Sequence, residues 1–71
     1  MNNDLTHILI VEDDEQFAEL VFRAFKWQNN NFRTSVALNL EQAKSIIKSD
    51  PPALILADQF LPDGRGCELI V

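Results

Sequence analysis

The chain has 71 residues, with six Lys/Arg against eleven Asp/Glu and a formal net charge of −5. That length allows one small domain or part of one. The 46% apolar content is too high for a disordered segment, and the single cysteine, Cys67, rules out a disulfide scaffold. The acidic balance argues against nucleic-acid binding by this segment, which needs clustered Lys/Arg, and no apolar run approaches the roughly 20 residues of a membrane span. The N-terminus, with Asp4 and no basic side chain, lacks the form of a secretory signal, so the chain reads as cytoplasmic with a reduced thiol.

Strand and helix patterns alternate from end to end. His7-Ile8-Leu9-Ile10-Val11 is a continuous, largely β-branched apolar run, the mark of a parallel strand covered on both faces. Asp13 or Asp14 then caps a helix, with Glu15 in its first turn. Phe17, Leu20, Val21, Ala24 and Phe25 recur at helical spacing and predict its buried stripe, and Asn29-Asn30-Asn31 ends it. Phe32 to Ala37 alternates as a second, weaker strand. Asn39 with Gln42 three residues later predicts a capping box, and Leu40, Ala43, Ile46 and Ile47 form the second helix stripe. Pro51-Pro52 stops that helix. Ala53 to Ala57 is a third buried strand ending on Asp58, Leu61 to Gly66 is a loop, and Cys67 to Val71 begins a further helix.

A βαβαβ order predicts an α/β domain with a parallel sheet and right-handed crossovers. Reversal of direction between the two crossovers gives spatial order 2-1-3, a partial doubly wound, flavodoxin-like sheet with helices on both faces. It also leaves a switch point between strands one and three, and ligands of open α/β sheets sit outside the carboxyl ends of the strands at such points.

Acidic residues stand at both of those ends. Strand one runs into Glu12-Asp13-Asp14 and strand three into Asp58. Neighbouring strands lie about 4.8 Å apart, so these side chains converge. Two carboxylates about 4 Å apart repel by about 4 kcal/mol at an effective dielectric of about 20, so three together call for protons or a cation. Hard oxygen ligands with open water positions suit Mg²⁺. A metal there could hold a phosphoryl group, and an Asp carboxylate can be the attacking nucleophile. Taken singly, Asp13 and Asp14 are equally explained as helix caps, and Asp58 as the opening of a turn.

Ile8-Leu9-Ile10-Val11-Glu12-Asp13-Asp14 together with Leu54 to Gly66 (Leu-Ile-Leu-Ala-Asp-Gln-Phe-Leu-Pro-Asp-Gly-Arg-Gly) resembles the receiver domain of two-component response regulators, collinearly over residues 7 to 71. The resemblance implies that Asp58 is a phosphoacceptor and that Glu12 and Asp13 are the acidic Mg²⁺ pair. It also implies that the backbone carbonyl of Phe60 is a further ligand beside Asp58. It implies a sensor histidine kinase or phosphotransfer protein as partner, a signalling module rather than an enzyme, and a domain of five strands and five helices. Residues 1–71 then read as its N-terminal half, without the hydroxyl residue after strand four or the lysine after strand five that contact the phosphoryl oxygens. Gln59 departs from the family, where an apolar residue is common.

With the third strand an edge, unpaired backbone groups on an apolar strand predict self-association, by third strands pairing across a two-fold axis. Three rival functions are weighed. A Mg²⁺-dependent phosphohydrolase needs a second Asp two residues after the first, where this chain has Phe60. A nucleotide-binding unit needs a Gly-rich turn where this chain has Glu12-Asp13-Asp14. A phosphorylation-incompetent interaction module of the same fold is the main alternative. His7 is expected at the surface, Trp27 partly packed, Cys67 as an inert small apolar residue, and Arg65 in solvent.

Overall fold

The computed structural model describes residues 5–28 and 31–69. The expected turn at Asn29-Asn30 and the last expected helical residues, Ile70 and Val71, lie outside them. The elements run β1 (Thr6–Val11), α1 (Glu15–Gln28), β2 (Phe32–Ala37), α2 (Leu40–Ser49), β3 (Leu54–Ala57), β4 (Phe60–Leu61), β5 (Gly64–Arg65) and a 3-10 turn over Gly66–Leu69. β1, β2 and β3 form a parallel sheet in order 2-1-3, and β4 and β5 a two-residue antiparallel hairpin.

β1 is central because its run of apolar residues can be buried from both sides. Residues His7 to Val11 are all buried. Ile8 and Ile10 turn to one face and pack with Ala18, Val21, Phe22 and Phe25 of α1 and Phe32 of β2. Leu9 and Val11 turn to the other and pack with Ala37, Leu40, Ala43, Ile46, Ile47, Ile55 and Leu61. The period of two along a strand therefore assigns the helices to opposite faces. At about 2–5 kcal/mol for truncating a buried Leu, residues such as Leu9 carry much of the stability of so small a sheet.

Several expectations are corrected. The buried arc of α1 is Ala18, Val21, Phe22 and Phe25 rather than one centred on Phe17, Leu20 and Ala24, which are exposed. Apolar residues cover so much of this helix that periodicity could not choose which arc meets the sheet. The edge-to-face contact of Phe25 with Phe32, 5.6 Å between centroids, helps choose it. The expected Leu61–Gly66 loop is largely a hairpin, of strands Phe60–Leu61 and Gly64–Arg65, and the expected helix from Cys67 is, among the described residues, one 3-10 turn over Gly66–Leu69. β3 spans Leu54–Ala57 rather than Ala53–Ala57 and, as an edge strand, is largely exposed rather than buried; Ala53 N donates to His7 O at 2.8 Å.

The capping reading of α2 holds with one difference. Asn39 Oδ1 accepts from Gln42 N at 2.8 Å, while Gln42 Oε1 accepts from Leu38 N at 2.8 Å, one residue before the cap. At the other end Asp50 is the C-cap, its N–H donating to Ile46 O at 2.7 Å. Its carboxylate takes both Arg33 guanidinium nitrogens, 2.8 and 2.9 Å, which ties the end of α2 to β2.

His7 is not a surface residue. It is 4% exposed, its Nε2 forms a 2.8 Å hydrogen bond with Ser35 Oγ, and its Nδ1 lies 3.8 Å from Asp50 Oδ2 with no hydrogen-bond partner among the described residues. It belongs to the buried row of β1, and the strand register sets it beside Arg33 under the end of α2. Trp27 goes the other way, at 91% exposed rather than partly packed.

Candidate metal and phosphoryl site

The carboxyl end of the sheet is built by continuing the ladders one residue beyond the strands. Glu12 N donates to Ala37 O and Asp58 N to Val11 O, both at 2.9 Å. Since Val11 is registered with Ala57, the next pair in register is Glu12 with Asp58. Both side chains fall on the face of Ile8 and Ile10, toward α1, by the alternation of a strand. They line one end of a groove of about 300 Å³ whose walls are Ile10, Phe17, Val21 and Leu56.

Asp13 and Asp14 divide the work between them. Asp14 Oδ1 accepts from Gln16 N at 3.0 Å and Phe17 N at 3.3 Å, and Asp14 O accepts from Ala18 N at 3.0 Å, so Asp14 is the cap of α1. Asp13 stands at the exposed bend between β1 and α1, its carboxyl beside that of Glu12. One carboxylate oxygen from each of Glu12, Asp13 and Asp58 lies within 4.8 Å of the others.

This proximity has an electrostatic cost that is visible on Glu12. Its carboxyl is pushed above its usual range, first by burial and then by the Asp58 and Asp13 carboxylates. A hydrogen bond from the Asp14 N–H, 3.1 Å, pulls the other way. The donor set fits Mg²⁺, which accepts carboxylate oxygens and keeps several waters. Oxygens about 2.1 Å from one octahedral ion stand about 3.0 Å apart when adjacent and about 4.2 Å when opposite, so carboxylates that lie within 4.8 Å of one another would have to draw in by side-chain rotation, by up to about 2 Å, to share it.

Phe60, two residues past Asp58, donates its N–H to Asp58 Oδ1 at 3.3 Å. Its ring is exposed and lies under the Arg65 guanidinium, 5.6 Å from the centroid, so Arg65 is in solvent as expected.

Three residues near the site were not singled out as functional by the sequence. Asp63 reaches back to α2, where Oδ1 accepts from Leu40 N at 2.8 Å and Oδ2 from Glu41 N at 3.0 Å, bonds that hold its carboxyl below the usual range. Gln59, the departure from the family pattern, has a structural use. Its Oε1 accepts from Cys67 N at 3.2 Å and its Nε2 meets Cys67 Sγ at 3.5 Å, tying the turn after Asp58 to the 3-10 segment. Cys67 is accordingly exposed rather than a packed apolar residue. Gly66 approaches so closely that a Cβ would run into the backbone carbonyl of Asp58. The Pro-Asp-Gly turn signal was the only hint of Asp63, and nothing local says that its carboxylate caps a helix 22 residues earlier.

Comparison with known proteins points the same way as this geometry. The chain is 40% identical over 63 residues to the transcriptional regulatory protein DpiA of Escherichia coli K12, covering 89% of this chain and 28% of that protein. It is 40% identical over 62 residues to the transcriptional regulatory protein CitB of Klebsiella pneumoniae, 87% of this chain and 26% of that one. To the photosynthetic apparatus regulatory protein RegA of Rhodobacter capsulatus it is 32% identical over 63 residues, 89% of this chain and 33% of that one. The chain thus spans about a quarter to a third of the length of these curated relatives. No protein-family model and no solved structure matches it significantly. These homologues are response regulators, and the match is to their receiver domain. No helix among the described residues is long and apolar enough to cross a membrane.

Proposed function

We propose that this homologue of response-regulator receiver domains accepts a phosphoryl group on Asp58 from a histidine kinase or phosphotransfer protein in the cytoplasm. Mg²⁺ is held by Glu12, Asp13, Asp58 and the backbone carbonyl of Phe60. The observation that carries this is the meeting of three carboxylates at the switch point of a 2-1-3 sheet, within 4.8 Å of one another.

The chemistry assigned to each residue follows from its place. An Asp58 oxygen attacks phosphorus in line, the bond from phosphorus to the donor's histidine nitrogen breaks, and that nitrogen leaves with the electron pair. The product is an acyl phosphate on Asp58. Mg²⁺ supplies neutralisation of the charge on the carboxylates and the phosphoryl oxygens. The bond from Phe60 N to Asp58 Oδ1 orients the carboxylate and leaves Oδ2 to attack. The module is a substrate of its kinase rather than an enzyme in its own right.

The test is intact mass spectrometry after incubation with Mg²⁺ and a small acyl phosphate or phosphoramidate. One added phosphoryl group is expected, abolished by Asp58→Asn. Absence of the adduct in the wild-type chain overturns the reading.

A second reading, an interaction module without phosphoryl chemistry, is favoured by one observation. Among the described residues β3 pairs with β1 alone, and its Leu54 and Leu56 are 44% and 37% exposed. Such an edge offers unpaired backbone groups to another strand. When this segment stands alone, we propose that the strand comes from β3 of a second copy, across a two-fold axis.

A further inference from the structure

We propose that Asp63 is a positioning residue for the Asp58 site, acting by clamping the β4–β5 hairpin to the start of α2. The inference rests on the reading of Glu12, Asp13 and Asp58 as a divalent-cation site, and adds a residue that the reading does not contain.

The start of α2 does not need Asp63 for its own sake. Asn39 already accepts from Gln42 N, and Asn39 O accepts from Ala43 N at 3.1 Å, so a local cap is in place. Asp63 supplies what is left, taking the Leu40 and Glu41 N–H groups with one oxygen each, across more than 20 residues of sequence. Its partners are the positive end of a helix, which favours a carboxylate. Two further contacts fasten the same hairpin to the same place. Leu61 is buried in the core with Leu40. Gly64, at φ 151, lies so near that a Cβ would stand 2.5 Å from Leu40 Cδ1 and 2.9 Å from Glu68 Oε2. A side chain at Gly64 would have to displace the ends of the Leu40 and Glu68 side chains, and the backbone angle itself favours glycine.

The other end of the hairpin is the site. Asp58 makes the last ladder bond of β3, to Val11, and Phe60 starts β4 with its N–H on Asp58 Oδ1. Among the described residues β3 has a neighbour on one side only, so beyond Asp58 the chain is guided by the hairpin rather than by the sheet. The α2 clamp therefore sets where Phe60 and the Asp58 carboxylate stand relative to Glu12 and Asp13. Groups that orient metal ligands are worth roughly 10-fold to 100-fold in metal affinity when removed.

The test compares Asp63→Ala, Asp63→Asn and Asn39→Ala in the full chain, with Mg²⁺ affinity read by calorimetry and backbone amide exchange read without metal. Asn39→Ala removes the local cap of the same helix but leaves the hairpin tied, so it controls for loss of helix stability. Asp63→Ala is expected to weaken Mg²⁺ by at least roughly tenfold and to speed exchange from Phe60 to Arg65. Asp63→Asn, which keeps one acceptor oxygen, is expected to fall between Asp63→Ala and wild type. Asn39→Ala is expected to leave Mg²⁺ affinity within about twofold, the scatter of context effects. An Asn39→Ala loss equal to that of Asp63→Ala, or Asp63 variants that bind and exchange like wild type, would overturn the proposal. Failure of the site reading looks different: the wild-type chain then binds no Mg²⁺ and cannot be told from Asp58→Asn, and both proposals fall together.

Discussion

Glu12 is the residue on which the architecture of the site bears most visibly. Its carboxyl is held above the usual 4.5, chiefly by burial, with the neighbouring carboxylates adding to it. A raised folded-state value means that the fold binds the proton more tightly than the unfolded chain does. The contribution is therefore favourable below about the unfolded value and is lost as pH rises through the folded one. At neutral pH without a divalent cation, Glu12→Gln should melt above wild type, and added Mg²⁺ should stabilise wild type more than the variant; thermal melts with and without Mg²⁺ read both. Asp50 and Asp63 have the opposite sign. Asp50 is held low by Arg33 and Asp63 by the Leu40 and Glu41 N–H groups, so each supports the fold above its usual 3.8 and ceases to do so as pH falls through the lowered value. Denaturant unfolding at about pH 5 and about pH 3 should show an acid loss of stability that shrinks in Asp50→Asn and in Asp63→Asn. An acid limb unchanged in both variants would contradict these assignments.

The elements divide into those that local pattern determines and those that contacts determine. β1 and β2 were legible because a continuous apolar run and an alternating one have few other readings, and α2 because Asn39, Gln42 and Pro51 bracket its stripe. Asn39→Ala should cost about 1 kcal/mol, a change in the unfolding midpoint without a change of slope. The acidic cluster was legible for a related reason, since strand register alone carries Glu12 to Asp58. What escaped the sequence are features set by partners distant in the chain. His7 is buried because its neighbours in register are Arg33 and the end of α2, the arc of α1 is chosen by Phe32 and the sheet, and Asp63 finds a helix start far upstream. No local signal encodes such pairings.

At the scale of the molecule, the sheet is sealed at its centre and, among the described residues, has β2 and β3 as its two edges. Leu54 and Leu56 of β3 are exposed at one edge, and Leu56 shares a groove with Phe17 of α1, which is exposed as well. The chain alone should self-associate through that edge, and light scattering at about 100 μM, well above the micromolar dissociation constant of a modest interface, should report a dimer that Leu56→Lys returns to monomer. A wild-type monomer would contradict this association while leaving the site untouched. The site itself rests on Glu12, Asp13 and Asp58 acting as one cation-binding unit. The most direct measurement is a Mg²⁺ titration followed by backbone amide chemical shifts. Saturable shifts concentrated at Glu12, Asp13, Asp58 and Phe60, and lost together in Asp58→Asn, are predicted; shifts that are absent, or that persist unchanged in that variant, would contradict the account.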